Sequence, residues 1–219
     1  MAKQRLDTLG APRDGTRHLE GDTPPLFSAR YWQEALDSAR QLRMLVLAAL
    51  LVAVRVAIGA LAVPIPFFDN KRLTFGYSFN AFGAFLYGPV LAPLTGLCTD
   101  LIGFFLHPTG GFFPGYTLSA AVGSAIYALV LYRRRVTVLR LAVAKILVNL
   151  IVNIGLNSLW SAMLLSKGYL FYLVQGITKN FILLPLEVFV MVLFFRAMMP
   201  LARQMGLAPQ QWENEVRLW

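Results

Sequence analysis

Charge is what this 219-residue chain has least of. Asp, Glu, Lys and Arg make up 14% of it, against about 25% in soluble domains, while 57% is apolar. The shortage is uneven, because residues 1–43 hold 13 of the 31 charges and residues 73–132 hold Asp100 alone. So long a stretch with one charge cannot cover a watered surface, which excludes a soluble domain. One cysteine, Cys98, excludes an internal disulfide framework. Two histidines, His18 and His107, with no clustered Cys or acidic partners, leave neither a metal site nor a resident cofactor to expect. No GxxxxGK(S/T), HExxH or GxSxG motif occurs, so no phosphate loop, zincin helix or nucleophile elbow is present. The chain reads as a non-enzymatic integral membrane protein.

Residues 1–42 read as a polar tail. Residues 1–24 lack the apolar run of a signal peptide. Residues 28–43, capped by Ser28, predict a helix with Tyr31, Trp32, Ala35, Leu36 and Ala39 beside Arg30, Arg40 and Arg43, suited to the headgroup layer. A membrane domain spans 43–203, and 204–219 form a second tail. About 20 apolar residues cross a bilayer. The predicted spans are 44–63, 79–91, 94–107, 115–132, 139–165 and 172–199, with Gly88-Pro89 and Pro93 dividing the second from the third. The fold class is therefore all-α, with six transmembrane helices. Lys and Arg concentrate before span one, at 133–140 and after span six, leaving Lys71, Arg72 and Lys167 outside, so both termini are placed in the cytoplasm. The net charge of +9 is thus a topology signal, and no nucleic-acid partner is expected.

Arg55, Asp100, Lys145, Lys179 and Glu187 fall inside the spans, where ionisable groups face protein or a watery cavity. Lys145 reads as snorkelling to the inner headgroups. Glu187 either satisfies backbone freed by Pro185 or pairs with a cation, and Asp100 reads as a counter-ion of Arg55 or Lys179. Arg55 and Lys179, in the outer halves of their helices, are the candidate ligand-binding cations. Ala49, Ala53 and Ala57 recur every fourth residue, about 200° around the helix from Arg55. That small face suits close packing, within the chain or on a partner. Lys145, Asn149, Asn153, Asn157 and Ser161 are also four apart, a row that drifts about 40° per step on an α-helix. Such asparagines either join helices or bind ligand. Asn153, Asn157 and Trp160 share the depth of Arg55 and Lys179, which defines a candidate pocket. In the outer loops, Phe67, Phe68, Phe75, Phe112, Phe113 and Tyr116 form either an interfacial belt or a gate that stacks on a flat ligand.

Five segments carry a family resemblance: AALLVAVR (48–55), RLTFGYSFNAFGAFLYGP (72–89), TDLIGFFLHPTGGFFPGYTLSAA (99–121), NLIVNIGLNSLW (149–160) and KNFILLPLE (179–187). Together they resemble the folate-type substrate-binding S components of energy-coupling factor (ECF) vitamin transporters. The resemblance implies a six-helix protein of the prokaryotic plasma membrane that captures a vitamin outside, most directly folate or a related pterin. It implies docking on a transmembrane coupling protein with two ATPase subunits, Ala49 and Ala53 matching an AxxxA contact that Ala57 extends. Arg55 and Lys179 would hold carboxylates, Asn153 and Asn157 the heterocycle or amide, and Trp160, Phe67, Phe113 and Tyr116 would stack or cap. Gly176 stands where folate-type relatives carry arginine, and Arg55, Lys71 or Arg72 would compensate. The alternatives are an S component for another water-soluble vitamin and a membrane assembly protein without transport.

Overall fold

A computed structural model describes residues 29–60, 63–64, 72–73, 75–108, 111–165 and 168–207. Its helices are α1 (Ala29–Arg40), α2 (Leu42–Ala60), α3 (Gly76–Leu106), α4 (Pro114–Leu131), α5 (Val138–Val148), a π-helical segment (Asn149–Leu156), α6 (Asn157–Leu164) and α7 (Tyr169–Gln204). The α5, π and α6 segments follow without a break, and among the described residues five helices are long and apolar enough to cross a membrane. Between α2 and α3, β1 (Val63–Pro64) and β2 (Arg72–Leu73) pair antiparallel, Val63 opposite Leu73.

The sixth pass comes from α3, which breaks at Gly88 (φ 79°, ψ −173°). Its two legs fold back on each other. Tyr87 and Thr95 share a hydrogen bond of 2.9 Å across the break. Asn80 accepts a 2.9 Å bond from Ser124 of α4, and Gly96, equidistant from the break, also faces Ser124. The first leg, Gly76 to Tyr87, is only about 18 Å long at helical rise, too short to cross lipid alone. It need not, because nearly every residue from Ser78 to Pro89 is buried in protein. Phe79, Phe82 and Phe85 of this leg pack on Phe194 and Phe195 of α7, with Phe79 and Phe194 centroids 4.5 Å apart. Outward faces carry exposed Leu, Ile and Phe such as Phe105, Phe181 and Phe189, as a lipid-facing surface requires.

The start of α2 meets the end of α7, since a Cβ on Gly206 would lie 3.8 Å from the Arg43 guanidinium. Both ends of the described bundle therefore share one side. On α1 the apolar residues read as suited to the headgroup layer divide between two environments. Tyr31, Ala35 and Ala39, four apart, are buried, whereas Trp32 and Leu36 are exposed. Tyr31 packs edge-on to Tyr132 at the end of α4 (6.0 Å), and Glu34 is clasped by Arg30 at 2.9 Å and by Arg133. The hydrogen bond from Arg133, ahead of that from Arg30, holds the Glu34 carboxyl below its usual pKa. Burial pushes the Tyr31 phenol up to about 12. Helix α1 is thus fastened to the bundle by its own side chains, as well as offering Trp32 and Leu36 outward. Ser28 and the rest of residues 1–28 lie outside the described residues.

Gly88 occupies backbone space that only glycine enters readily, and a Cβ there would meet the Tyr132 ring at 2.8 Å. Gly88→Ala is expected to cost about 1–3 kcal/mol and lower the melting temperature in detergent by about 3–10 °C. An unchanged melting temperature would refute the hairpin account of α3.

Candidate ligand-binding cavity

A cavity of about 260 Å³ opens between α2, α3, α4, the α5–π–α6 element and α7. Its wall combines Arg55 of α2, Tyr77 and Asn80 of α3, and Ser119 and Tyr127 of α4 with Lys145, Asn153, Asn157, Lys179, Asn180 and Glu187. Of the residues singled out from sequence, the fold therefore brings Arg55, Asn153, Asn157 and Lys179 to one space.

The π segment explains how the asparagine row reaches that space. On an α-helix, residues four apart overshoot a full turn by about 40°. The i→i+5 bonding of a π-helix widens the turn to about 4.4 residues, so the same step falls short by about 30°. Running from Asn149 to Leu156 between two α-helical pieces, the π segment cancels the drift expected for the row. Lys145, Asn153 and Asn157 all line the cavity, and Asn149 is buried behind it.

The row is joined by hydrogen bonds. Asn153 Nδ2 donates to Asn149 Oδ1 at 2.7 Å and to Asn180 Oδ1 at 3.4 Å. Asn149 Nδ2 donates to Glu187 Oε2 at 3.2 Å, and Asn180 Nδ2 to the Gly176 carbonyl at 2.8 Å. Lys145 Nζ reaches the same Glu187 oxygen at 3.2 Å and sits 4.0 Å from the Tyr77 ring centroid. Lys145 does not snorkel to the headgroups as its position suggested. At 2% exposure it is a buried ion-pair partner, because Glu187 and the Tyr77 ring replace its water. Of the two roles open to Glu187, the structure realises pairing with a cation.

Among the described residues the wall carries three cations and one carboxylate. With Lys145 matched to Glu187, Arg55 and Lys179 form no ion pair among the described residues. Tyr87 and Tyr127 face the Arg55 guanidinium, whose Nη1 is buried without a hydrogen-bond partner among the described residues. Asn157 Oδ1 and the Tyr127 hydroxyl are likewise buried with no hydrogen bond from the described residues. Asp100 does not supply the counter-charge expected of it. It accepts a 2.6 Å hydrogen bond from Thr117, near the start of α4, and does not line the cavity.

The described aromatic candidates stand behind the wall, Trp160 nearest to it. Trp160 Nε1 donates to Ser119 Oγ at 3.0 Å, and Ser119 lines the cavity. Phe113 packs on Trp160 at 5.6 Å and on Tyr116 at 6.1 Å, and the Tyr116 hydroxyl lies 3.3 Å from Ser161 Oγ. Arg72 is described only by its backbone in β2, and Phe67 and Lys71 lie outside the described residues. Gly176 is buried but is not part of the wall. A Cβ there would lie 3.2 Å from Ser158 Oγ and 3.7 Å from the Asn153 carbonyl, so glycine lets α7 approach the π segment. The reading from sequence passed over Tyr77, Asn80, Ser119, Tyr127 and Asn180. A buried asparagine in the apolar SFNAF run was the signal available for Asn80.

No family model matches the chain. A folate transporter FolT of Clostridium novyi is 34% identical over 119 residues, covering 54% of this chain and 69% of the relative. The chain belongs to the FolT folate transporter family. A second FolT, from Leuconostoc mesenteroides, is 31% identical over 152 residues, 67% of this chain and 80% of that one. The crystal structure of a FolT bound with folic acid superimposes with a TM-score of 0.62 at 27% identity, covering 69% of this chain and 91% of that one. The family resemblance carried by the five sequence segments therefore holds, together with the multi-pass helical membrane fold.

Removing one member of a buried ion pair costs about 3–5 kcal/mol, whereas replacing both by apolar groups is often neutral. Lys145→Met is accordingly expected to lower the melting temperature sharply, and Lys145→Met with Glu187→Leu to recover most of the loss. A double variant no more stable than the single one would contradict the pairing.

Proposed function

We propose that this protein is the folate-binding S component of an ECF transporter. It captures folate or a related pterin on the extracellular side of a prokaryotic plasma membrane. The ligand then moves inward as partner ATPase subunits hydrolyse ATP. The observation that carries the reading is the charge of the cavity, in which Arg55 and Lys179 remain after Lys145 is matched to Glu187. An anionic ligand with a hydrogen-bonding heterocycle complements such a wall, and folate has both parts. The names of the FolT relatives and the folic acid bound by the structurally similar FolT support the same choice.

In this proposal Arg55 and Lys179 hold carboxylate oxygens by charge-assisted hydrogen bonds. Asn153 and Asn157 bond the heterocycle or amide. Trp160, Phe113 and Tyr116, with Phe67 from the segment before α3, cap the ligand, and Arg72 of β2 adds a further cation for the carboxylates. Clustering of Arg30, Arg40, Arg43, Arg133, Arg134, Arg135 and Arg203 toward the shared side of the chain ends makes that side cytoplasmic. Ala49, Ala53 and Ala57 are exposed on α2, while Arg55 lines the cavity. A bare small-residue face permits close helix approach and is assigned to the transmembrane coupling protein.

Calorimetry on purified wild type is expected to give a folic acid Kd below micromolar. Arg55→Ala and Lys179→Ala should each weaken it about 10- to 100-fold, the worth of a charged hydrogen bond. Absence of measurable binding to wild type would overturn the proposal. Ala53→Trp is expected to leave folic acid binding unchanged and abolish ATP-dependent uptake in cells supplying the coupling module. Uptake at the wild-type rate would remove the alanine face from the docking surface.

A further inference from the structure

Glu187 is the charged cavity residue that the ligand roles above leave unused. Its two carboxylate oxygens are unequally occupied. Oε2 receives Lys145 Nζ and Asn149 Nδ2, both at 3.2 Å. Oε1 accepts no hydrogen bond from the described residues, although Glu187 lines the cavity. An ionised carboxylate offers about four acceptor positions, so this one keeps about half its capacity free toward the cavity. A ligand N–H that fills it makes a charge-assisted hydrogen bond in place of cavity water. The neighbouring cations Arg55, Lys145 and Lys179 only donate, which makes Oε1 the one charged acceptor on the described wall.

We infer that Glu187 is a specificity-determining residue whose Oε1 accepts an N–H from the ligand's heterocycle. The matching group is the exocyclic amine of an aminopyrimidinone edge, the donor-bearing edge of a pterin. The inference rests on the folate reading and deepens it, because surplus positive charge by itself would admit any small polycarboxylate. Lys145 and Asn149 also fix what a neutral replacement would do. In Glu187→Gln, these two donors hold the amide oxygen on their side and turn the amide NH₂ toward the cavity. The acceptor facing the ligand thereby becomes a donor, with side-chain volume nearly unchanged.

The test crosses a protein change with a ligand change. Binding of folic acid and of its 2-deamino analogue is measured calorimetrically on detergent-purified wild type and Glu187→Gln. Wild type is expected to prefer folic acid by about 10- to 100-fold, the range for a hydrogen bond to a charged group. In Glu187→Gln that preference should vanish, even if both ligands bind more weakly. A glutamate that merely neutralises Lys145 would lower both affinities together and leave the ratio intact, which would overturn the inference. Equal binding of the two compounds by wild type would also overturn it, and this comparison decides the matter if the variant fails to fold. Wild type that binds neither compound would overturn the folate reading itself, and the inference with it.

Discussion

Lys145 and Glu187 face each other inside an apolar helical bundle, and most polar contacts around the cavity connect to that pair. Each ion alone would cost several kcal/mol to bury, even after relaxation of the surroundings. Together they are held by a 3.2 Å contact, the Tyr77 ring beneath Lys145 and the Asn149 amide on Glu187. Asn149 passes the constraint to Asn153, and Asn153 to Asn180, so α5, the π segment and α7 are locked in register. The same pair sets the electrostatics. By pairing with Lys145, Glu187 leaves Arg55 and Lys179 as the net charge of the described wall.

Two departures from regular helix make room for this arrangement. At Gly88 the chain reverses inside the bundle, and the buried first leg of α3 supplies Tyr77 and Asn80 from a position no lipid-crossing helix would occupy. Over Asn149–Leu156 the π turn realigns a row of side chains that an α-helix would spiral away from the cavity. Both irregularities sit where protein surrounds the backbone, so freed peptide groups can find partners away from lipid.

Much of the fold was legible in the residues. One charge in 73–132, the placement of the arginines and the Gly88-Pro89 pair predict six apolar passes and a break near 88, and the bundle has them. Arg55, Lys179, Asn153 and Asn157 could be grouped because apolar sequence makes every polar residue conspicuous. Lys145 and Asp100 were misjudged for a related reason. Distance from a span end suggests snorkelling or counter-charge, but the partner that decides either comes from another helix, 42 residues away for Lys145.

The sequence by itself determined that this is a membrane protein, how many times it passes, which side gathers its arginines and which few polar residues must be shielded from lipid. These follow from solvation, which acts residue by residue on composition and periodicity. Only the tertiary structure decided which cation Glu187 neutralises, that Lys145, Asn153 and Asn157 of the row line the cavity with Asn149 buried behind them, and that Tyr77, Asn80, Tyr127 and Asn180 share the wall. Those outcomes depend on distances of a few ångströms between helices remote in sequence, and on a π turn that no local residue pattern announces.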